Sequence, residues 1–229
     1  MLRLAVAALF GVALNQIMFF EGLNLTSPIN ASIIMVGVPI IVLLLSSLFL
    51  SERLNMINIS GVVAGFSGAA YLIYMSGNHG NNSSSLVGNL LILGNATSYS
   101  IYLVLVKPLF RYYKPLTIVS WVFLFGALYV LPVTLPIALK ENWGDIPLNI
   151  WMSIAYVIVF TTIIAYFLNN FSLSHLSPAA NSAFIYTQPL FASLVALFIG
   201  IDHLKPMHLL AALLIFAGVY LVSRRKTAP

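Results

Sequence analysis

Two stretches of this 229-residue chain, 54–106 and 146–201, contain no Asp, Glu, Lys or Arg, and each is more than 50 residues long. A bilayer's hydrocarbon core takes about 20 helical residues, so each stretch has room for two crossings. Charged residues are 7% of the chain, where a soluble domain carries about 25%. That balance excludes a soluble enzyme, a nucleic-acid binder, a secreted disulfide scaffold and a disordered tail. The net charge of +5 comes from only ten basic residues, and their placement reads as membrane orientation rather than as a phosphate-binding patch. Cysteine is absent, so no disulfide or thiol chemistry is available.

Polar and Pro/Gly-containing breaks divide the chain into eight apolar segments near 4–24, 28–50, 56–75, 86–106, 116–138, 150–172, 178–199 and 206–223. Water is missing from the bilayer core, so backbone groups must pair within a segment or around a closed barrel. Barrel strands would be about 9–11 residues with dyad alternation; these segments are about twice as long and apolar on every face. The expected fold is an all-α membrane protein of eight transmembrane helices. Eight crossings leave both termini on one side. That side holds Arg3, Arg53, Lys107, Arg111, Lys114, Arg224, Arg225 and Lys226, and the other holds Lys140 and Lys205. The bias predicts cytoplasmic termini in the cell (inner or plasma) membrane. Trp143 and Trp151 flank an outer loop as interfacial anchors.

Shifted by 150 residues, the chain matches itself without gaps. Ser27-Pro28 meets Ser177-Pro178, Pro39 meets Pro189, Glu52 meets Asp202, and Gly68 meets Gly218. The segments opened by Pro28 and Pro178 are five crossings apart, an odd number, so the related helices run in opposite directions. Such an inverted repeat is characteristic of many secondary transporters. The units are 1–76 (three helices), an external polar loop over 77–85, and 86–229 (five helices).

The residues Asn15 to Pro28, with Glu21-Gly22-Leu23-Asn24-Leu25-Thr26-Ser27-Pro28 at the helix exit, resemble the third-helix exit of EamA-type members of the drug/metabolite transporter superfamily. Pro39 followed by Ser51-Glu52-Arg53-Leu54 resembles that family's mid-helix proline and acidic helix ending, echoed by Pro189 and Ile201-Asp202-His203-Leu204. Gly61 to Gly68 is similar to its small-residue fifth helix. The resemblance spans essentially the whole chain. It implies an inverted-repeat fold of five plus five helices around a central cavity, of which this chain shows three plus five and begins at about the third helix. It also implies a secondary-active exporter of a small polar or amphiphilic metabolite, amino-acid-like compounds first, working by alternating access. The alternative is a truncated, non-transporting membrane protein or assembly subunit of the same fold.

No enzyme or nucleotide motif is present: there is no P-loop, the four histidines lack metal-binding spacing, and no helix pairs two acids. No cofactor or metal is expected. The chemistry falls to neutral polar groups. Asn15 and Gln16 lie mid-membrane in the first segment. Asn95, Tyr99 and Tyr102 align at i, i+4, i+7 in the fourth; Thr162, Tyr166 and Asn169 do so in the sixth, with Asn170 beside them; Asn181 and Gln188 share a face in the seventh. Facing lipid, such groups would be unsatisfied, so they should point inward. Singly, each reads as interhelical glue; as a set they predict one polar cavity. The expected substrate-binding residues are Asn15, Tyr99, Tyr166, Asn169, Asn181 and Gln188. Glu21 is the one acid well inside an apolar segment. It reads either as a proton or cation site or as a carboxylate at headgroup level with a local role, which its place near the segment's exit slightly favours. Pro39 and Pro189 are expected to kink their helices. The small-residue faces around Gly61–Gly68, Ala211 and Gly218 permit close helix packing and, secondarily, a homo-oligomer. The expected partners are thus a small-molecule substrate, the lipid bilayer and a second copy, with no nucleic acid.

Overall fold

The computed structural model describes residues 1–26, 31, 34–50, 55–76, 85–140, 143–188, 190, 191, 194 and 206–223, and no strand occurs among them. The described helices are α1 (Leu2–Leu25), α2 (Val38–Phe49), α3 (Met56–Ser76), α4 (Leu86–Arg111, its last turn 3₁₀), α5 (Pro115–Ala138), α6 (Leu148–His175), α7 (Pro178–Ala183) and α8 (Pro206–Ser223). α1, α4, α5 and α6 are each long and apolar enough to cross a membrane. The surface is inverted relative to a soluble protein, with Val159, Phe160 and Ile163 of α6 and Leu124, Leu128 and Leu131 of α5 exposed.

The helix starts follow local chemistry. The Ser85 hydroxyl accepts from Val87 N at 3.2 Å, and the Ser177 hydroxyl from Ala180 N at 3.2 Å. Pro115 and Pro178 stand in the first turn of their helices, where a missing N–H costs nothing. Pro39 does the same for α2: a turn at Val36-Gly37, closed by Gly37 N donating to the Ile34 carbonyl at 2.9 Å, separates it from the helical residues before it. The expected mid-helix kink is therefore a break and a restart. Pro189 lies outside the described residues; the 3₁₀ turn Phe184–Thr187 precedes it. Pro132 and Pro136, which the sequence reading did not single out, lie inside α5.

Two helices are wound more widely over a short stretch. α1 is π-helical at Leu9–Ala13, and α6 at Val157–Ile164.

α1 lies antiparallel to α4. Ser98 meets Phe10, Asn95 meets Asn15, and Gly88 meets Leu25, so partner numbers fall on α4 as they rise on α1. The Leu25 carbonyl accepts from Ser85 N at 3.0 Å, and Thr26 Oγ1 donates to Asn89 Oδ1 at 2.6 Å. At the other end of α4, Lys107 Nζ donates to the carbonyls of Leu173 (2.9 Å) and Leu176 (2.8 Å), with Ser174 at 3.4 Å. A 21-residue helix spans about 30 Å. The exits of α1 and α6 thus sit at opposite ends of α4.

α3 and α8 pack antiparallel at near backbone contact. A Cβ on Gly61 would stand 2.9 Å from the Gly218 carbonyl, and one on Gly68 2.9 Å from the Ala211 carbonyl. Two apolar cores result. One gathers Leu4, Val38, Tyr102, Ile118 and Leu173; the other gathers Val36, Val62, Tyr186, Ile215 and Val222.

Candidate functional site

Tyr166 of α6 is the centre of a polar cluster between α1, α4 and α6. Its hydroxyl donates to the Gly11 carbonyl at 2.9 Å, and Ser98 Oγ donates to the neighbouring Phe10 carbonyl at 2.7 Å. Both carbonyls belong to the π-helical stretch of α1. A π turn shifts the regular hydrogen-bond ladder and is frequent at functional sites; here its carbonyls take side-chain donors from other helices. Gln16 Nε2, one turn along α1, donates to the Tyr166 hydroxyl at 3.4 Å.

From Tyr166 the cluster runs toward the exit of α6. Asn170 Nδ2 donates back to the Tyr166 carbonyl at 2.9 Å, and the fully buried Tyr102 donates its hydroxyl to Asn170 Oδ1 at 2.9 Å. Tyr99, one turn from Tyr102, stacks against it with ring centroids 6.3 Å apart. Asn181 Nδ2 of α7 donates to Asn169 Oδ1 at 2.8 Å, closing the short turn between α6 and α7. Phe123 of α5 lies against the Tyr166 ring at 5.1 Å. On the α1 side, Asn95 Nδ2 donates to the Asn15 carbonyl at 2.7 Å.

No charged side chain belongs to this cluster. Its groups are amides and phenols, which donate and accept hydrogen bonds and offer ring faces to a cation. Such an arrangement can recognise an uncharged polar or zwitterionic molecule, and no group of three His, Asp or Glu side chains lies together among the described residues.

Of the expected site residues, Tyr99, Tyr166, Asn169 and Asn181 are brought together. Asn15 is buried one residue from Gln16 and reaches the cluster through its neighbours. Gln188 is exposed and makes no side-chain hydrogen bond to the cluster. Glu21 is exposed near the exit of α1. Sequence reasoning noticed Gln16, Tyr102 and Asn170 but left them out of the site. Gln16 carried a usable signal: it stands 150 residues from Tyr166, the offset at which the chain matches itself. Apart from the cluster, a groove of about 380 Å³ between α1 and α4 is lined mainly by Phe10, Leu14, Met18, Leu90, Leu93 and Ile101. Its wall is apolar, and its hydroxyls, on Thr97 and Ser98, are spent on backbone carbonyls.

The profile of the EamA-like transporter family matches residues 1–74 and 86–224. The chain is 24% identical over 219 residues to the uncharacterized transporter YyaM of Bacillus subtilis, covering 95% of this chain and 72% of that protein. It is 28% identical over 197 residues to a probable terminal-alkyne amino-acid exporter of Streptantibioticus cattleyicolor, covering 86% of this chain and 64% of that one. A solved crystal structure superposes with a TM-score of 0.75 at 19% identity, over 97% of this chain and 76% of its own, which shows a shared fold. With four helices among its described residues long and apolar enough to cross a membrane, and this match along nearly its whole length, the chain is a multi-pass membrane protein and belongs to the EamA-like transporter family.

Proposed function

We propose that this chain is a secondary-active exporter of a small polar or amphiphilic metabolite of amino-acid type, which it binds at the Tyr166 cluster and moves by alternating access. The observation that carries the reading is the cluster itself: neutral amides and phenols from α1, α4, α6 and α7 converge inside a membrane bundle. Tyr99, Tyr166, Asn169 and Asn181 form its centre, and Asn15 its α1 side. The exporter of Streptantibioticus cattleyicolor supports the choice of an amino-acid-like cargo.

Alternating access rests on an inverted repeat with units 1–76 and 86–229 and a linking external loop, 77–85, in a chain of eight crossings with cytoplasmic termini in the cell membrane. Three structural relations support it. The π-helical stretch 9–13, moved by 150, falls on 159–163, inside the π-helical stretch of α6. The exits of α1 and α6, also 150 apart, lie at opposite ends of α4. The contact Gly61–Gly218, moved the same way, becomes Ala211–Gly68, which is also a contact. A pair that maps onto its own exchange is what a two-fold axis produces.

The test is counterflow of radiolabelled leucine into proteoliposomes holding the purified full chain. Accumulation above protein-free liposomes supports the reading. No accumulation for any of the twenty common amino acids refutes amino-acid export. The second reading, an assembly subunit, is favoured by one observation: the most apolar window of α6 has none of its residues buried, against 33% for α1. That reading predicts transport only when a partner protein is co-reconstituted.

A further inference from the structure

We propose that Asn95 is a substrate-binding residue whose amide oxygen accepts an N–H from the cargo, the contact made by a primary ammonium group. The inference rests on the transport reading above and adds to it a residue and a chemical class.

Asn95 is 2% exposed and lies on α4, on the face that carries Tyr99 and Tyr102 at i+4 and i+7. Its Nδ2 donates to the Asn15 carbonyl at 2.7 Å. That bond fixes which way the amide points, since the flipped amide would set oxygen against oxygen. Oδ1 is then directed away from Asn15, and it is buried without a partner. A buried carbonyl oxygen with no donor destabilises the structure that holds it. Leucine, with the same number of side-chain heavy atoms, would leave no buried unpaired oxygen there.

The rest of the cluster shows what is lacking. Asn169 Oδ1 is taken by Asn181, Asn170 Oδ1 by Tyr102, and the Gly11 carbonyl by Tyr166. Among the described residues the fully buried side-chain carbonyl oxygen without a partner is Asn95 Oδ1, so the missing group is a donor. A neutral amide oxygen suits an ammonium that brings its own carboxylate, because it binds the donor without neutralising the zwitterion. The Tyr99 and Tyr102 rings on the same face add an attraction for a cation. The other orphaned groups among the described residues, Ser46 Oγ, Tyr186 Oη and Ser223 Oγ, are hydroxyls. They can donate or accept and so specify no ligand polarity.

The experiment is leucine counterflow in proteoliposomes of the full chain, competed by leucinol, which keeps the ammonium, or by 4-methylpentanoate, which lacks it. Both are read in wild type, Asn95→Leu and Asn95→Asp, with the thermal midpoint of each protein in detergent. In wild type, leucinol should compete at least tenfold better than 4-methylpentanoate. Asn95→Leu should lose at least tenfold of leucine counterflow with a midpoint no lower than wild type. Asn95→Asp, which keeps an oxygen acceptor and, when protonated, a donor for Asn15, should recover part of the activity. Wild-type counterflow in Asn95→Leu would overturn the proposal and leave a buried water or packing as the role of Oδ1. Loss of counterflow together with folding in both variants would overturn it in favour of a structural amide. Equal competition by the two analogues would also overturn it. Absence of counterflow in wild type refutes the transport reading, and the inference falls with it; that failure is read on wild type alone.

Discussion

Gln16 Nε2 donates to the Tyr166 hydroxyl at 3.4 Å, and the two residues are 150 positions apart, the offset at which this chain aligns with itself. In an inverted repeat, residues related by the offset can touch only where the two-fold axis passes. On the proposed repeat, that axis would run through the polar cluster. It would pass a second time at the glycine contact of α3 with α8, where Gly61 and Gly68 face Gly218 and Ala211. Substrate sites of inverted-repeat transporters lie at the repeat interface near the midplane, which is where the Tyr166 cluster stands on this reading.

The glycine contact makes a graded prediction. A Cβ on Gly218 would meet the Gly65 backbone nitrogen at 2.5 Å, so α3 and α8 must move apart. Gly218→Ala should cost about 1–3 kcal/mol, the usual range for overpacking. At Gly94 the obstacle is the Met18 sulfur at 2.9 Å, the flexible end of a side chain, and at Gly144 nothing lies within 4 Å. Thermal midpoints in detergent should fall in the order Gly144→Ala, Gly94→Ala, Gly218→Ala, the last lowest. A Gly218→Ala midpoint equal to wild type would contradict the close contact.

Much of this architecture was legible in the chain, for a physical reason. Membrane helices announce themselves through uncharged length, and α1, α4, α5 and α6 fall on four of the expected segments. The family resemblance rested on Pro, Gly and acidic residues at fixed spacing, which survive low identity. The local geometry was harder to read. A proline eleven residues into a segment gives no sign of whether the helix bends or restarts, and at Pro39 it restarts. The π turns leave no composition signal; at the one in α1, Gly11 lies against the Tyr102 ring and its carbonyl accepts from Tyr166. The polar cluster was legible as a set of polar faces. Which members converge depended on helix rotation, so Gln188 was included and Gln16 was not.

Alternating access requires the contact between the exit of α1 and the start of α4 to open. Thr26 and Asn89 touch there at 2.6 Å, and the chain's lack of cysteine makes a double-cysteine variant clean. With Thr26→Cys and Asn89→Cys together, copper phenanthroline should form the disulfide, abolish counterflow, and let dithiothreitol restore it. Full counterflow with the disulfide shown intact would mean that this end does not open.

The basic-residue bias puts the 77–85 loop outside and the exposed Tyr112, between α4 and α5, inside. An impermeant maleimide on intact cells should label Asn82→Cys and spare Tyr112→Cys until the membrane is permeabilised. The reverse pattern would invert the orientation, with the helix packing left as described.

On the proposed function, the Tyr166 cluster binds cargo rather than merely holding helices together. An interhelical hydrogen bond in a membrane is worth about 0.6 kcal/mol on average and about 1.7 at most, so a structural role predicts a small change in both folding and transport. The direct measurement is initial-rate leucine counterflow in proteoliposomes by Tyr166→Phe, set beside its thermal midpoint in detergent. Cargo binding at Tyr166 predicts a loss of counterflow of tenfold or more with a midpoint within a few degrees of wild type. Counterflow that stays at the wild-type rate, or that falls only in step with lost folding, would contradict it.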